Sequence, residues 1–136
     1  MRFHFEYQYA ALSVDDLKNL RLLGIENNRL TMLPNDIFKK LKYLKFVNLA
    51  GNQIVSIEKL FVGNLNKNLN TVGVEFNQIT KLGNSSFSDF TKLTSVDLCM
   101  NPLEEIEGDA FMNNPHLTEF NFRCSSNVHE YLKRCS

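Results

Sequence analysis

The stretch LRLLGIENNRL, Leu20 to Leu30, places a polar residue, Asn28, within an otherwise apolar pattern. The pattern returns three times along the chain, as LKFVNLAGNQI (Leu44–Ile54), LNTVGVEFNQI (Leu69–Ile79) and LTSVDLCMNPL (Leu93–Leu103). Each copy has apolar residues at positions 1, 4, 6 and 11 and an asparagine at position 9. The first leucines are 24, 25 and 24 residues apart (44−20, 69−44, 93−69), and a weaker fifth copy, LTEFNFRC, begins 24 residues later at Leu117. Self-similarity at such a period predicts a stack of structural repeats.

The recurring asparagine has a structural explanation. Positions 3 to 7 alternate as in a β-strand, so that positions 4 and 6 point into the stack. After position 8 the chain turns away, and its inward-facing backbone groups lack ladder partners; a buried unpaired group costs about 1–3 kcal/mol. An asparagine side chain both donates and accepts hydrogen bonds. We therefore predict a structural asparagine ladder, rather than a catalytic amide, formed by Asn28, Asn52, Asn77 and Asn101.

Composition and motif content argue against several classes of function. The 136 residues include 15 basic and 15 acidic residues, so no net field favours nucleic acid or an anionic membrane, and we expect neither as a partner. No apolar run is long enough to span a bilayer. The three histidines, His4, His116 and His129, lie far apart in a linear stack, and no phosphate-binding, dinucleotide-binding or nucleophile-elbow motif is present. The sequence therefore predicts no enzyme activity, no metal site and no cofactor.

The pattern LxxLxLxxNxL, followed by a leucine or isoleucine and then a phenylalanine such as Phe38, Phe87 or Phe111, resembles the leucine-rich repeat family. The 24-residue period is similar to the typical subclass of animal extracellular proteins, and the resemblance covers Leu17 to about Cys124. It implies an α/β repeat solenoid. The expected form is a right-handed arc with a parallel concave sheet, one short strand per repeat, irregular or 3₁₀ convex limbs and a short C-terminal cap helix.

We expect a single domain over residues 1–136. Residues 1–19 form a degenerate N-terminal strand or partial repeat, residues 20–43, 44–68, 69–92 and 93–116 form the repeats, and residues 117–136 form the last strand and the cap. No cysteine cluster precedes the first repeat, so the aromatic strand in FHFEYQY is either a divergent cap or the edge of a longer protein. At the other end, Asn127 and Glu130 have the spacing of a capping box.

Whether the cysteines are bonded or free depends on the cellular compartment of the protein. The resemblance to a cysteine-flanked cap makes Cys124 and Cys135 a candidate disulfide pair, worth about 2–3 kcal/mol for so short a loop; the alternative is free thiols in a reducing cytosol. Cys99 would be the odd cysteine on the open face, a free thiol or an intermolecular partner. Asn84 begins an N-x-[ST] sequon. No signal peptide is visible, but the resemblance favours an extracellular over a cytoplasmic location.

The resemblance and the spacing together indicate a function for the concave face. Its side chains are free of the core pattern, and apolar ones exposed there are candidate binding anchors. The candidate protein-binding residues are Leu22, Glu26, Phe46, Asn48, Thr71, Glu75, Phe76, Asp97, Met100 and Glu119. For Phe76 and Met100, packing into the turn is the alternative to binding. We expect a non-enzymatic recognition module for a protein ligand, in a monomer or part of a longer chain; the alternative is an assembly segment of a larger repeat protein.

Overall fold

The computed structural model describes residues 18–33, 38, 41–58, 60, 67–84 and 86–122. These residues form seven strands and no helix: β1 (Leu22–Gly24), β2 (Phe46–Asn48), β3 (Thr71–Gly73), β4 (Lys81–Leu82), β5 (Ser95–Asp97), β6 (Glu105–Ile106) and β7 (Glu119–Asn121). The expected N-terminal strand, the cap helix and the Cys124–Cys135 pair lie outside the described residues.

The larger sheet has five parallel strands in the order β1-β2-β3-β5-β7. Each strand occupies positions 3 to 5 of its repeat, and equivalent positions are paired throughout, as Val47 with Val72 and Val72 with Val96. The single extra residue between the second and third copies therefore leaves the register of the strands unchanged. The predicted parallel solenoid with repeats in register is confirmed.

A second, two-stranded parallel sheet joins β4 to β6, with Leu82 opposite Ile106. These strands occupy positions 13 and 14 of repeats three and four, on the return limb. The expectation of one strand per repeat is therefore wrong for these two repeats. Position 14 is apolar in every repeat, but two residues are too few to carry an alternation that marks a strand.

The core is a continuous apolar column through the stack. Residues at positions 1, 4, 6, 11 and 14 are buried in repeats one to four, except for the half-buried Leu20, from Leu23 and Ile25 at one end to Leu98 and Ile106 at the other. Phe38 and Phe87 fill the interior from the return limb and are also buried. Burying an apolar side chain of this size stabilises the fold by about 1.5–3 kcal/mol, so the column is the main source of cohesion between repeats.

The asparagines at position 9 link successive turns. Asn52 Nδ2 donates to Leu49 O of its own repeat (2.9 Å) and to Ile25 O of the preceding one (2.9 Å), and Asn52 Oδ1 accepts from Leu30 N (3.2 Å). Asn77 and Asn101 repeat this pattern one and two turns further on. Asn28 donates to Ile25 O (3.1 Å). All four side chains are buried, so the ladder satisfies polar groups that the core would otherwise leave unpaired.

The described parts of the return limbs form turns. Isolated i→i+3 bonds close them, such as Phe90 N to Phe87 O (3.1 Å) and Leu93 N to Phe90 O (2.9 Å), so the described limbs are of the irregular kind rather than the 3₁₀ kind. Asn114, which sequence reasoning did not single out, is buried and donates to Phe87 O (2.9 Å) and Phe90 O (2.8 Å). It links the limbs of repeats three and four as the position-9 asparagines link the turns.

Candidate functional site

The concave face is a set of columns that run across the strands. Position 3 places Leu22 beside Phe46, Phe46 beside Thr71, Thr71 beside Ser95 and Ser95 beside Glu119. Adjacent strands are about 4.8 Å apart, so these side chains form one surface. Leu22 is 46% exposed, Phe46 and Thr71 are half-buried and Glu119 is exposed. The column is thus apolar at its N-terminal end and polar at its C-terminal end.

Position 5 holds a polar column whose side chains are oriented by the turn that follows. Asn48 Oδ1 accepts from Ala50 N (3.0 Å), and Asp97 Oδ1 accepts from Cys99 N (2.9 Å). Asn121 Nδ2 donates to Asp97 Oδ2 (3.4 Å) across the sheet. These bonds fix Asn48 and Asp97 on the open face before any ligand is present.

Glu75 is an acidic group of this face with an incompletely hydrogen-bonded carboxylate. Its carboxylate lies over Gly73, with Oε2 3.0 Å from the point where a Cβ would stand. Oε2 is buried and has no hydrogen-bond partner among the described residues. Burial raises the pKa of Glu75 above 4.5, its own backbone N–H counteracts this, and the charge of Asp97 raises the pKa further. A cation or N–H donor brought by a partner would therefore be stabilised here. Glu26, the corresponding residue of repeat one, is half-buried.

The position-8 residues all adopt left-handed backbone conformations. The φ angles are 58° at Asn27, 68° at Gly51, 55° at Phe76 and 59° at Met100. Asparagine and glycine tolerate this region, whereas a bulky residue there is uncommon and strained. Phe76 is 58% exposed and Met100 is 50% exposed, so neither packs into the turn. The Phe76 N–H donates to Cys99 O (2.9 Å), the carbonyl that precedes Met100. The side chains of Phe76 and Met100 therefore lie in adjacent turns at the edge of the concave face.

The structure brings two further residues to this surface. Ser95 and Asn121 line a shallow depression together with Asp97 and Glu119 at the C-terminal end of the sheet. Both were visible in the sequence as members of the position 3 and position 5 columns. Neither carries a charge or a large apolar side chain, which most of the other candidates have.

Metal-binding and membrane-spanning features are absent from the part of the chain that the structure describes. None of the histidine, cysteine, aspartate and glutamate side chains there form a group of three that could hold a metal ion. No helix among the described residues is long and apolar enough to cross a membrane. His4 and His129 lie outside this part of the chain.

The raised pKa of Glu75 leads to a prediction for stability. The folded protein holds this proton more tightly than the unfolded chain, so the free energy of unfolding should fall as the pH rises through the interval just above 4.5. Glu75→Gln should remove that fall and raise stability near neutral pH. Urea unfolding near pH 4.5 and near neutrality measures both effects. Glu104→Gln, which removes an exposed carboxylate, is the matched control; an equal change in both variants would contradict the assignment.

The sequence profile described as "BspA type Leucine rich repeat region" matches residues 14–133 in 6 copies. The chain therefore belongs to the leucine-rich repeat family. The matching profile is of the BspA type, which differs from the animal extracellular subclass that the repeat length resembles. No curated protein matches the sequence.

Solved structures agree with the fold. The chain is similar to TLR13, solved in complex with ssRNA13, with 30% identity and a TM-score of 0.75 over 80% of this chain and 15% of TLR13. It is similar to Drosophila Toll, solved in complex with Spatzle, with 28% identity and a TM-score of 0.69 over 80% of this chain and 15% of Toll. An internalin from Listeria monocytogenes is 27% identical with a TM-score of 0.64, over 84% of this chain and 31% of the internalin. The chain spans less than a third of each.

Proposed function

We propose that this chain is a non-enzymatic recognition module that binds a protein through its concave face. The observation that carries the proposal is the pair Phe76 and Met100, two large apolar side chains that are exposed and held in left-handed backbone positions. Both the strain and the exposure cost stability in the free protein. A partner that covers these side chains recovers the exposure cost, which makes them suitable anchors.

The chemistry around these anchors describes the partner surface. Glu75 precedes Phe76 and has an unpartnered buried oxygen among the described residues, and Asp97 lies nearby on the same face. Leu22 and Phe46 form a second apolar pair two strands away. We infer that the partner presents lysine or arginine next to large apolar side chains. A desolvated cation would pair with Glu75, while charges at the rim would act mainly on the association rate.

The structural neighbours support a binding role. The solved Toll structure is a complex with Spatzle, and TLR13 is complexed with ssRNA13. Both are proteins of this fold that were solved with a bound macromolecule. The alternative is an assembly segment of a larger leucine-rich repeat protein with no ligand site of its own. That alternative is favoured by the small share, 15%, that the chain covers of each of these two neighbours.

An extracellular location belongs to the same proposal. A disulfide bond would support it, because disulfides persist in oxidising compartments. The candidate pair, Cys124 and Cys135, lies outside the described residues. Asn84 is exposed on the return limb of repeat three, where a glycan would be accommodated.

The experiment is a peptide-display selection on the wild-type protein. Selected peptides should combine lysine or arginine with a large apolar residue. Their affinity for the double variant Phe76→Asn, Met100→Asn should be about thirtyfold lower, as expected for loss of an anchor worth about 2 kcal/mol. Asparagine fits this backbone position, as Asn27 shows (φ 58°), so the variant should fold.

The matched control is Met112→Asn, which removes another exposed methionine from the return limb. It should keep full affinity, and thermal melting by circular dichroism should show all the variants folded. Equal affinity of the wild type and the double variant would place the site elsewhere. Selected peptides that bind only through Leu22 and Phe46 would move the anchor to the N-terminal end of the same face.

A further inference from the structure

A second surface emerges when the residues that precede each concave strand are aligned. These are residues 18–21, 42–45, 67–70, 91–94 and 115–118, here called the basic ridge. They contain six lysine or arginine residues and no aspartate or glutamate. The cations are Lys18, Arg21, Lys42, Lys45, Lys67 and Lys92. The chain as a whole has equal numbers of basic and acidic residues, so this segregation is hidden in its net charge.

Backbone hydrogen bonds stack the segments of the basic ridge directly on one another. Lys45 N donates to Arg21 O (2.8 Å), Asn70 N to Lys45 O (2.8 Å), Thr94 N to Asn70 O (2.9 Å) and Thr118 N to Thr94 O (3.0 Å). Elsewhere in these segments, Asn68 Nδ2 donates to Lys42 O (3.2 Å) and Lys92 Nζ donates to Asn68 Oδ1 (2.9 Å). The four segments that carry the cations therefore form one line across the stack.

The charges on this line are available to a ligand. All six cations are exposed. The ion pairs observed between described residues join Lys81 to Glu105 and Glu107 on the return limb, and none involves the basic ridge. The leucine at position 1 of each segment is buried or half-buried, which anchors the backbone beneath the cations. The ridge is thus a rigid base that carries charges open to solvent.

The spacing of the charges gives the ridge a collective field. Four repeats at about 4.8 Å per strand span about 14 Å, and neighbouring cations lie within the Debye length of about 8 Å at physiological ionic strength. Their mutual repulsion is uncompensated by described carboxylates on the ridge. A linear anion laid along the ridge would neutralise several cations together and release its own counterions.

We propose that the basic ridge binds a linear sulfated polysaccharide. Five of the six cations are lysines, which act as compact point charges and lack the bidentate fork that makes arginine favoured for nucleic acid. Single-stranded nucleic acid is held on aromatic stacking platforms, and Tyr43 is the one aromatic residue of the ridge. A bilayer surface would require apolar side chains to insert beside the charges, and the described ridge offers only Tyr43. This surface is separate from the concave-face site and does not depend on it.

The test measures binding of a short heparin fragment to the full chain by titration calorimetry at several salt concentrations. Lys45→Glu should weaken binding by roughly twenty-fivefold, since each unit of charge near an anionic surface changes affinity about fivefold and the substitution changes two. The slope of log affinity against log salt should fall by about one when a lysine no longer pairs with a sulfate. Arg29→Glu is the matched control, because it makes the same change in charge at an exposed position off the ridge.

The outcomes separate the ligand classes. Hyaluronan, which carries carboxylates without sulfates, should bind more weakly than heparin. Equal losses in Lys45→Glu and Arg29→Glu would overturn the proposal, because binding would then follow net charge alone. Tighter binding to a single-stranded RNA oligonucleotide or to phosphatidylserine vesicles than to heparin would also overturn it. Retained peptide binding by Lys45→Glu would show that the concave-face site is intact.

Discussion

Phe87→Ala should lower the free energy of unfolding by about 3–5 kcal/mol, the range observed when a buried phenylalanine is truncated. Phe87 is fully buried in the return limb of repeat three. Its ring is stacked on Phe111 of the next repeat, with centroids 5.2 Å apart and an angle of 6° between the planes. The truncation would therefore leave a cavity and remove ring packing between two repeats.

The position of Phe87 within the stack increases the effect. Its ring packs against Phe111 of repeat four, whereas its backbone bonds to Ala110 O (3.0 Å) and Asn114 Nδ2 (2.9 Å) are kept in Phe87→Ala. In a repeat protein, stability is the sum of the individual repeats and of the interfaces between neighbours. Because Phe87 contributes to both, its loss should weaken the coupling of repeat three to repeat four as well as repeat three itself. Hydrogen exchange should then show repeat four opening independently.

Circular dichroism during urea unfolding measures this prediction, and it suits a chain without tryptophan. Met112→Ala, on the same limb of repeat four and 68% exposed, is the control and should change stability by less than about 0.5 kcal/mol. Phe87→Leu should cost less than Phe87→Ala, because it leaves a smaller cavity. If Phe87→Ala and Met112→Ala lowered the free energy of unfolding by similar amounts, burial of Phe87 in the core would not be the cause of its effect.

The repeated spacing of apolar residues, together with the leucine-rich repeat resemblance that it carries, was sufficient to predict the five concave strands, their parallel order and their register. Each strand of the five-stranded sheet is only three residues long, which is too short for its own alternation to identify it. The information lies in the repetition of the pattern, since Val47, Val72 and Val96 can be buried together only if the copies stack in register.

Features that depend on interactions between repeats were harder to predict. β4 and β6 form because Lys81–Leu82 meets Glu105–Ile106 across adjacent limbs, and neither segment has a distinctive pattern by itself. Asn114 is buried by the limb that packs over it, while its sequence context, MNNPH, reads as an exposed turn. The lysines of the basic ridge are dispersed along the chain. They come together only after the repeats are aligned.

The concave site was predictable in composition but not in conformation. The candidates Leu22, Phe46, Glu75 and Asp97 follow from the strand alternation. The exposure of Phe76 and Met100 could not be derived, because a side chain at a left-handed turn position can either tuck inward or project outward. The burial of the Glu75 carboxylate over Gly73 depends on a missing side chain two residues earlier in the chain, which becomes significant only in three dimensions.

Asn77→Ala should lower the free energy of unfolding by about 1–3 kcal/mol, because it leaves a buried N–H without an acceptor. Asn77 Oδ1 accepts from Ile54 N (3.0 Å), and no other acceptor for this N–H is observed among the described residues. Asn77 Nδ2 also donates to Leu49 O (3.0 Å) and Val74 O (3.0 Å). Those two carbonyls keep a second donor, from Asn52 and Asn101 respectively, so the Ile54 N–H dominates the loss.

Asn77→Asp distinguishes this account from a simple loss of packing. Aspartate keeps the volume and the acceptor for Ile54 N, but its ionised form cannot donate and faces Leu49 O and Val74 O in a buried site. Burying an unpaired charge is more costly than losing a neutral hydrogen bond, so Asn77→Asp should be less stable than Asn77→Ala at neutral pH. Acidification should narrow that difference, because the protonated carboxyl regains one donor. Gln78→Ala, one residue away and exposed, should change stability by less than about 0.5 kcal/mol. If urea unfolding gave equal losses at positions 77 and 78, or an Asn77→Asp penalty independent of pH, the ladder would not be the source of the turn's stability.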